Sequence, residues 1–242
     1  MPLSEVRQNR FADDLRTAAT ALVRQPSVPL FSVGLYLVPL LVPSPNNDRA
    51  LLTLAWCVPF FLWLAFSFGW FGVERIFFLR QLRNQPITLR QLVGLARAFV
   101  GRFFRLGMLT SIWIAPFLAV SIAIQKSHPG WSRVSTALCF ILLDFSLTFV
   151  TPALAFTTRS ARNAVRIGFD MIRETWPRCA IYVLCPPLAL NILNFQNSSP
   201  IERGVLTVLI VLTALLAKGT IVAFYVREKG VVSDDGATFS TT

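Results

Sequence analysis

Six stretches of the chain are almost wholly apolar, and polar connections of alternating character separate them. The apolar stretches cover residues 27–42, 50–73, 106–125, 134–156, 179–195 and 204–226. A helix needs about 20 such residues to cross about 30 Å of hydrocarbon. The pattern therefore predicts an all-α polytopic membrane protein with six transmembrane helices. The first and fifth stretches are short and hold Pro29 and Pro39, then Pro186 and Pro187. Either could be re-entrant or broken, which leaves four or five full crossings as the alternative.

The longer connections have a helical rhythm of their own. Phe11, Leu15, Ala18 and Leu22 stand at i, i+4, i+7 and i+11, and Leu92, Ala96, Phe99 and Phe103 repeat that register. Val165, Phe169, Ile172 and Trp176 repeat it again. Each set is one apolar face of a helix of period 3.6. Arginines fill the remaining faces: Arg10 and Arg24, then Arg90, Arg97 and Arg105, then Arg159, Arg162, Arg166 and Arg173. Ser4 and Thr88 are N-cap candidates, and Pro26 and Pro177 mark the ends of the first and third helices. The chain thus divides into three units, 1–73, 74–156 and 157–226, each a basic amphipathic helix followed by a transmembrane hairpin. They form one integral membrane domain, and a short tail, 227–242, reads as disordered from Gly230 onward.

Composition narrows the class further. Of the 242 residues, 54% are hydrophobic and 14% charged, against roughly a quarter charged in a soluble domain. With a mean hydropathy of +0.59, this excludes a disordered chain, a nucleic-acid-binding domain and an ordinary soluble enzyme. The formal net charge of +11 is read as topology, because Lys and Arg favour the cytoplasmic side of a membrane. The N-terminal segment, 74–105, 157–178 and the tail carry 18 of the 23 basic residues, and the intervening turns carry Arg49, Lys126, Arg133 and Arg203. That bias predicts both termini in the cytoplasm, in a plasma or bacterial inner membrane. The polar first 26 residues do not read as a cleavable signal peptide. The implied partners are the bilayer and its anionic phospholipids, with a further protein or a second copy as candidates and no nucleic acid.

Two segments carry a resemblance. F-L-R-Q-L-R-N-Q-P-I-T-L-R-Q-L with the later G-R-F-F-R-L-G is one; F-V-T-P-A-L-A-F-T-T-R-S-A-R-N-A-V-R, continuing to E-T-W-P-R-C-A-I-Y-V-L-C-P-P-L-A-L, is the other. Both resemble bacterial, especially actinobacterial, polytopic membrane proteins without an assigned function. More distantly they are similar to the membrane domain fused to glycerophosphodiester phosphodiesterases. The resemblance implies a membrane module alone, since the soluble barrel that carries the phosphodiesterase carboxylates has no counterpart here.

Few residues are candidates for chemistry. Asp144 lies mid-way along the fourth apolar stretch, where an unpaired carboxylate costs about 2.5–3.5 kcal/mol on insertion scales, so it should face protein or water. Lys218 in the sixth stretch is the natural partner: the two lie roughly 20 Å and roughly 10 Å from the basic side, an offset that a lysine arm and helix tilt could bridge. Such a pair would either couple proton or solute movement or tie two helices together. Pro39, Pro59, Pro116, Pro152 and Pro186-Pro187 free backbone carbonyls that could line a cavity. Asn191 and Asn194 are candidates for interhelical hydrogen bonds. Cys57, Cys139, Cys179 and Cys185 show no C-x-x-C pairing and read as inert thiols, and His128 is a lone loop histidine. Asn197-Ser198-Ser199 fits a glycosylation sequon, relevant only in a eukaryotic secretory membrane.

No phosphate-binding loop, dinucleotide fingerprint, nucleophile elbow, metal set or cofactor motif stands in the sequence. The leading expectation is a non-enzymatic structural or partner-binding module of the cytoplasmic membrane, with Arg90, Arg97, Arg105, Arg159, Arg162, Arg166 and Arg173 on lipid headgroups. A transport permease subunit with a separate ATPase is the alternative. A lipid-metabolising enzyme built on Asp170 and Glu174 among Arg166, Arg173 and Arg178 is the third.

Overall fold

The structure is a computed structural model that describes residues 3–41, 50–85, 87–125, 129–194 and 200–229. Among them every regular element is an α-helix: α1 (Leu3–Arg24), α2 (Ser27–Leu41), α3 (Ala50–Leu82), α4 (Leu89–Gln125), α5 (Pro129–Leu147), α6 (Val150–Phe156), α7 (Ala161–Thr175), α8 (Ala180–Asn194) and α9 (Pro200–Lys229). Among the described residues four helical spans are long and apolar enough to cross a membrane, and a fifth is added if the bent pair α1–α2 counts as one. The other short apolar stretch, α8, does not reach spanning length by itself among the described residues. Both short candidates are 15-residue helices, about 22 Å long at 1.5 Å per residue, which is less than the hydrocarbon thickness.

Two further boundaries move. The second apolar stretch was expected to end at Val73, yet α3 continues to Leu82 and carries Glu74 and Arg75 inside it. The second amphipathic helix is not a separate element either: α4 runs unbroken for 37 residues, because no breaker stands between Thr88 and the buried part of the span. Thr88 is the N-cap as expected. Its backbone N–H donates to Gln91 Oε1 and Gln91 N–H donates back to Thr88 Oγ1, a capping box that satisfies two otherwise orphaned donors. Asn84, at φ 53°, closes α3 in the left-handed conformation with Gln85 N–H bonded to the Arg80 carbonyl. Ser4 lies inside the first turn of α1 rather than before it. Pro26 and Pro177 do follow the ends of α1 and α7.

The fourth apolar stretch breaks at 148–149 into α5 and α6. Pro152 has no N–H to return to the Thr148 carbonyl, so the helical ladder is interrupted there. The short α6 that follows is buried along nearly its whole length.

Packing is unequal along the bundle. α3 and α4 pair as a long hairpin, while α9 touches α1, α2, α3 and α8. The large buried side chains, among them Trp70, Phe77, Phe99, Phe149, Leu154, Met171 and Tyr225, gather at the arginine-rich end. Toward the other end the apolar surface faces outward: Ile112 is 70% exposed and Trp113 72%. Exposed apolar bands of this extent on α4 and α5 are what a lipid solvent covers. The fold is that of a multi-pass helical membrane protein.

Close approach of α3 to α4 depends on glycine. A Cβ on Gly69 would collide with the Ala96 carbonyl oxygen, and one on Gly72 with the Phe99 ring. Gly69→Ala is therefore expected to destabilise the detergent-solubilised protein by about 1–3 kcal/mol, read as a lowered thermal midpoint. Gly94→Ala, where a Cβ meets open space, should leave the midpoint unchanged or raise it.

Candidate functional site

The best-connected polar group in the bundle is Glu74. Its side chain is fully buried and receives Lys218 Nζ from α9 at 2.5 Å. On its other oxygen it accepts the Ser32 hydroxyl of α2 at 2.8 Å, and Ser32 in turn accepts the Trp70 indole N–H at 2.7 Å. Arg75, the next residue on α3, donates Nη1 to the Lys218 carbonyl at 3.1 Å. Lys218 also lies 4.7 Å from the Phe71 ring centroid, within cation–π range. Three helices are thus joined through one carboxylate, and every bond in the set is charge-assisted or buried.

Lys218 therefore finds its ion partner in Glu74, a residue the hydropathy pattern had left among the polar connections. Asp144 does not share that bond; its carboxylate makes no hydrogen bond among the described residues. It lines a cavity with Lys218, however. The space, about 310 Å³, lies between α3, α4, α5, α6, α8 and α9, and its polar wall consists of Arg75, Thr110, Asp144, Thr148, Thr151 and Lys218. Pro186 and Pro187 line it as well. Pro59 and Pro116 are exposed on the outside and Pro152 is in the packed core, so the prolines do not act as one set.

A second network ties the arginine-rich end together. Asp14 of α1 accepts the Tyr182 hydroxyl at 2.6 Å and Arg227 Nη1 at 2.8 Å. Arg227 stacks over Phe224, and Tyr182 packs on Phe11 and Phe224. Glu174 with Lys229 and Glu228 with Arg178 add ion pairs around it. Asp14 was legible in principle: it falls on the inward stripe of α1, three residues after Phe11 and four before Ala18, where a carboxylate requires a partner. Asp170 pairs with Arg166 one turn away at 3.8 Å, a surface i, i+4 pair.

All seven arginines assigned to headgroups, Arg90, Arg97, Arg105, Arg159, Arg162, Arg166 and Arg173, are exposed. Arg166 alone among them has an ion partner among the described residues. The three stripes differ in what covers them. Leu92, Ala96, Phe99 and Phe103 are core residues. On α7 the inward face is Ala164, Gly168, Met171 and Thr175, one position off the expected register, because Gly168 lets the helix rest on Val150. Phe169 and Trp176 consequently remain about half exposed beside the arginines.

Cys139 and Cys179 are buried and Cys185 is exposed. His128, Asn197-Ser198-Ser199 and the tail from Gly230 lie outside the described residues, as do the side chains of Pro39, Cys57, Asn191 and Asn194. Compared with known protein families, curated proteins and solved structures, the chain matches none.

Replacing Asp14 by Ala removes the acceptor that holds Tyr182 and Arg227. The expected result is a loss of about 1–3 kcal/mol at this clasp, since Arg227 is solvent-accessible while the Tyr182 hydroxyl loses its acceptor, visible as faster hydrogen exchange across α1 and the last two turns of α9 with little change in α4.

Proposed function

We propose that the chain is a non-enzymatic integral protein of a bacterial inner or plasma membrane that crosses six times, with both termini in the cytoplasm. Its arginine-rich end rests on anionic phospholipid and serves as a structural or partner-binding platform. The observation that carries this reading is the set of exposed arginines, all but Arg166 without an ion partner among the described residues, beside the half-exposed Phe169 of α7 and Trp176 at its C-cap. An interfacial helix needs this combination, since aromatic side chains enter the headgroup boundary while each nearby basic residue contributes about 1 kcal/mol toward anionic lipid. The 87° bend between α1 and α2 supports the same arrangement, because it lays α1 across the end of α2. The short helices α2 and α8 complete the six passes by packing on α9, with local thinning of the bilayer making up their length.

A permease subunit is the second reading, and the cavity that holds Asp144, Lys218, Pro186 and Pro187 favours it. The two readings share a topology and differ in whether that cavity opens alternately to the two sides.

Single cysteines introduced at Thr17 and Ser233, in a cysteine-free background, should react with an impermeant maleimide from the cytoplasmic face alone, and those at Asn46 and Ser127 from the opposite face alone. Changing Arg97, Arg105, Arg162 and Arg173 together to Gln should reduce co-purifying anionic phospholipid at least threefold, measured by lipid mass spectrometry. Unchanged lipid content would remove the platform role while leaving the topology in place.

A further inference from the structure

A second opening lies at the arginine-rich end, in the angle between α1, α3 and α9. Its volume is about 290 Å³, and Arg16, Thr17, Thr20, Arg24 and Gln81 form its polar rim. The floor is apolar and closed, because Gly219 brings α9 so near that an added Cβ would strike the Ala18 Cβ and the Phe78 ring. The cleft is thus built from three packed helices, while Arg16, Thr17, Thr20 and Arg24 at its rim are exposed and free to meet an occupant.

The charge of this cleft is unbalanced. Two arginines line it and no carboxylate does. Neither arginine has an ion partner among the described residues: Arg24 reaches only the neutral Asn84 Oδ1, at 3.4 Å. Asp13, one turn before Arg16, makes no ion pair among the described residues and lies outside the lining. Asp14, on the inward face of α1, is held by Tyr182 and Arg227. Thr17 and Thr20 donate their hydroxyl protons to the Asp13 and Arg16 carbonyls, both at 2.8 Å. Donors toward the opening therefore come from the two guanidiniums and from the Gln81 amide, which gives one of its protons to Gln25.

That donor set selects an anion with several oxygens. A guanidinium fork matches two oxygens of a phosphate group. Arg16 and Arg24 stand about 12 Å apart along α1 at 1.5 Å per residue, with Thr20 midway, so one group above Thr20 is within reach of both arms. A phosphate monoester, with a charge of about −1.5 to −2 at pH 7, balances both arginines. A carboxylate or a phosphodiester, with a single charge, balances one.

We propose that this cleft binds a phosphate monoester, with Arg16 and Arg24 gripping it from the two sides of Thr20 and Gln81 donating from α3. Two sources supply that chemistry, a phosphatidic acid headgroup at the membrane surface and a soluble phosphate. None of the seven platform arginines lines the cleft, so the platform and the cleft can fail independently.

The test uses the full chain in phosphatidylcholine nanodiscs, titrated calorimetrically with dihexanoyl phosphatidic acid, dihexanoyl phosphatidylcholine and inorganic phosphate. Saturable one-to-one binding of phosphatidic acid, at least tenfold tighter than of phosphatidylcholine, is expected. Inorganic phosphate bound as tightly as phosphatidic acid assigns the soluble source, and weaker binding assigns the lipid. Thr20→Glu sets a carboxylate at i, i+4 spacing from each arginine, so it should weaken binding at least tenfold with the thermal midpoint retained. Arg16→Gln, at an exposed side chain that bonds nothing among the described residues, should weaken it at least fivefold. Changing Arg97, Arg105, Arg162 and Arg173 together to Gln should leave the affinity within twofold, which separates the cleft from the general positive field. Absent binding of phosphatidic acid, equal binding of phosphatidylcholine, full affinity in Thr20→Glu or Arg16→Gln, or affinity lost in the fourfold variant overturns the proposal.

Discussion

A carboxylate with no access to water has to be met by a cation on a neighbouring helix, and in this bundle the arrangement of α2, α3 and α9 follows from that requirement. Glu74 holds Lys218 and Ser32, Ser32 holds Trp70, and Arg75 reaches the backbone of α9. In lipid the hydrophobic effect does not press helices together, so packing and interhelical hydrogen bonds decide which helices adjoin. An unpaired Glu74 would be prohibitive, and each of its bonds therefore specifies a neighbour. Lys218, lying over Phe71 on the same helix as Glu74, adds directional contact to the charge.

From that lock the rest of the arginine-rich half is built. Trp70, two residues from Gly72 and one from Gly69, is fully buried, and the glycines bring α4 close enough for Ala96 and Phe99 to be core residues. The clasp of Asp14, Tyr182 and Arg227 then closes α1 and α8 onto the last turns of α9. The opposite half is joined without charges, as where the Ser121 hydroxyl of α4 donates to Ser135 of α5, and shows its apolar side chains outward. One half is held by specific bonds within protein, and the other is suited to lipid. The cavity lies where they meet, with Lys218 and Arg75 on the bonded side and Asp144 across from them.

Much of this was legible in the sequence, and the parts that were not have physical reasons. Apolar runs located the long helices, and Thr88, Pro26 and Pro177 marked helix ends through local chemistry alone. Glu74 and Arg75 were misplaced because hydropathy averages treat adjacent charges as the end of a span. Helix geometry instead puts Glu74 one turn after Trp70 and Phe71 and one before Phe77 and Phe78, on an inward face where both charges find partners. The stripe on α7 was displaced by one position because a tally of apolar residues overlooks glycine, and Gly168 faces Val150 where a Cβ would collide. Asp144 and Lys218 were singled out as a polar pair, but periodicity carries no information on which of two acids a lysine bonds; that depends on tertiary packing.

The most direct test of this account is a double-mutant cycle on Glu74 and Lys218, using Glu74→Gln, Lys218→Met and the combination, with reversible unfolding followed in mixed micelles. If the pair locks the bundle, each single change strands a buried partner and costs about 3–5 kcal/mol. The double change should then cost well below the sum, with a coupling of about 1–3 kcal/mol. Additive losses, or single variants as stable as the parent, would contradict it.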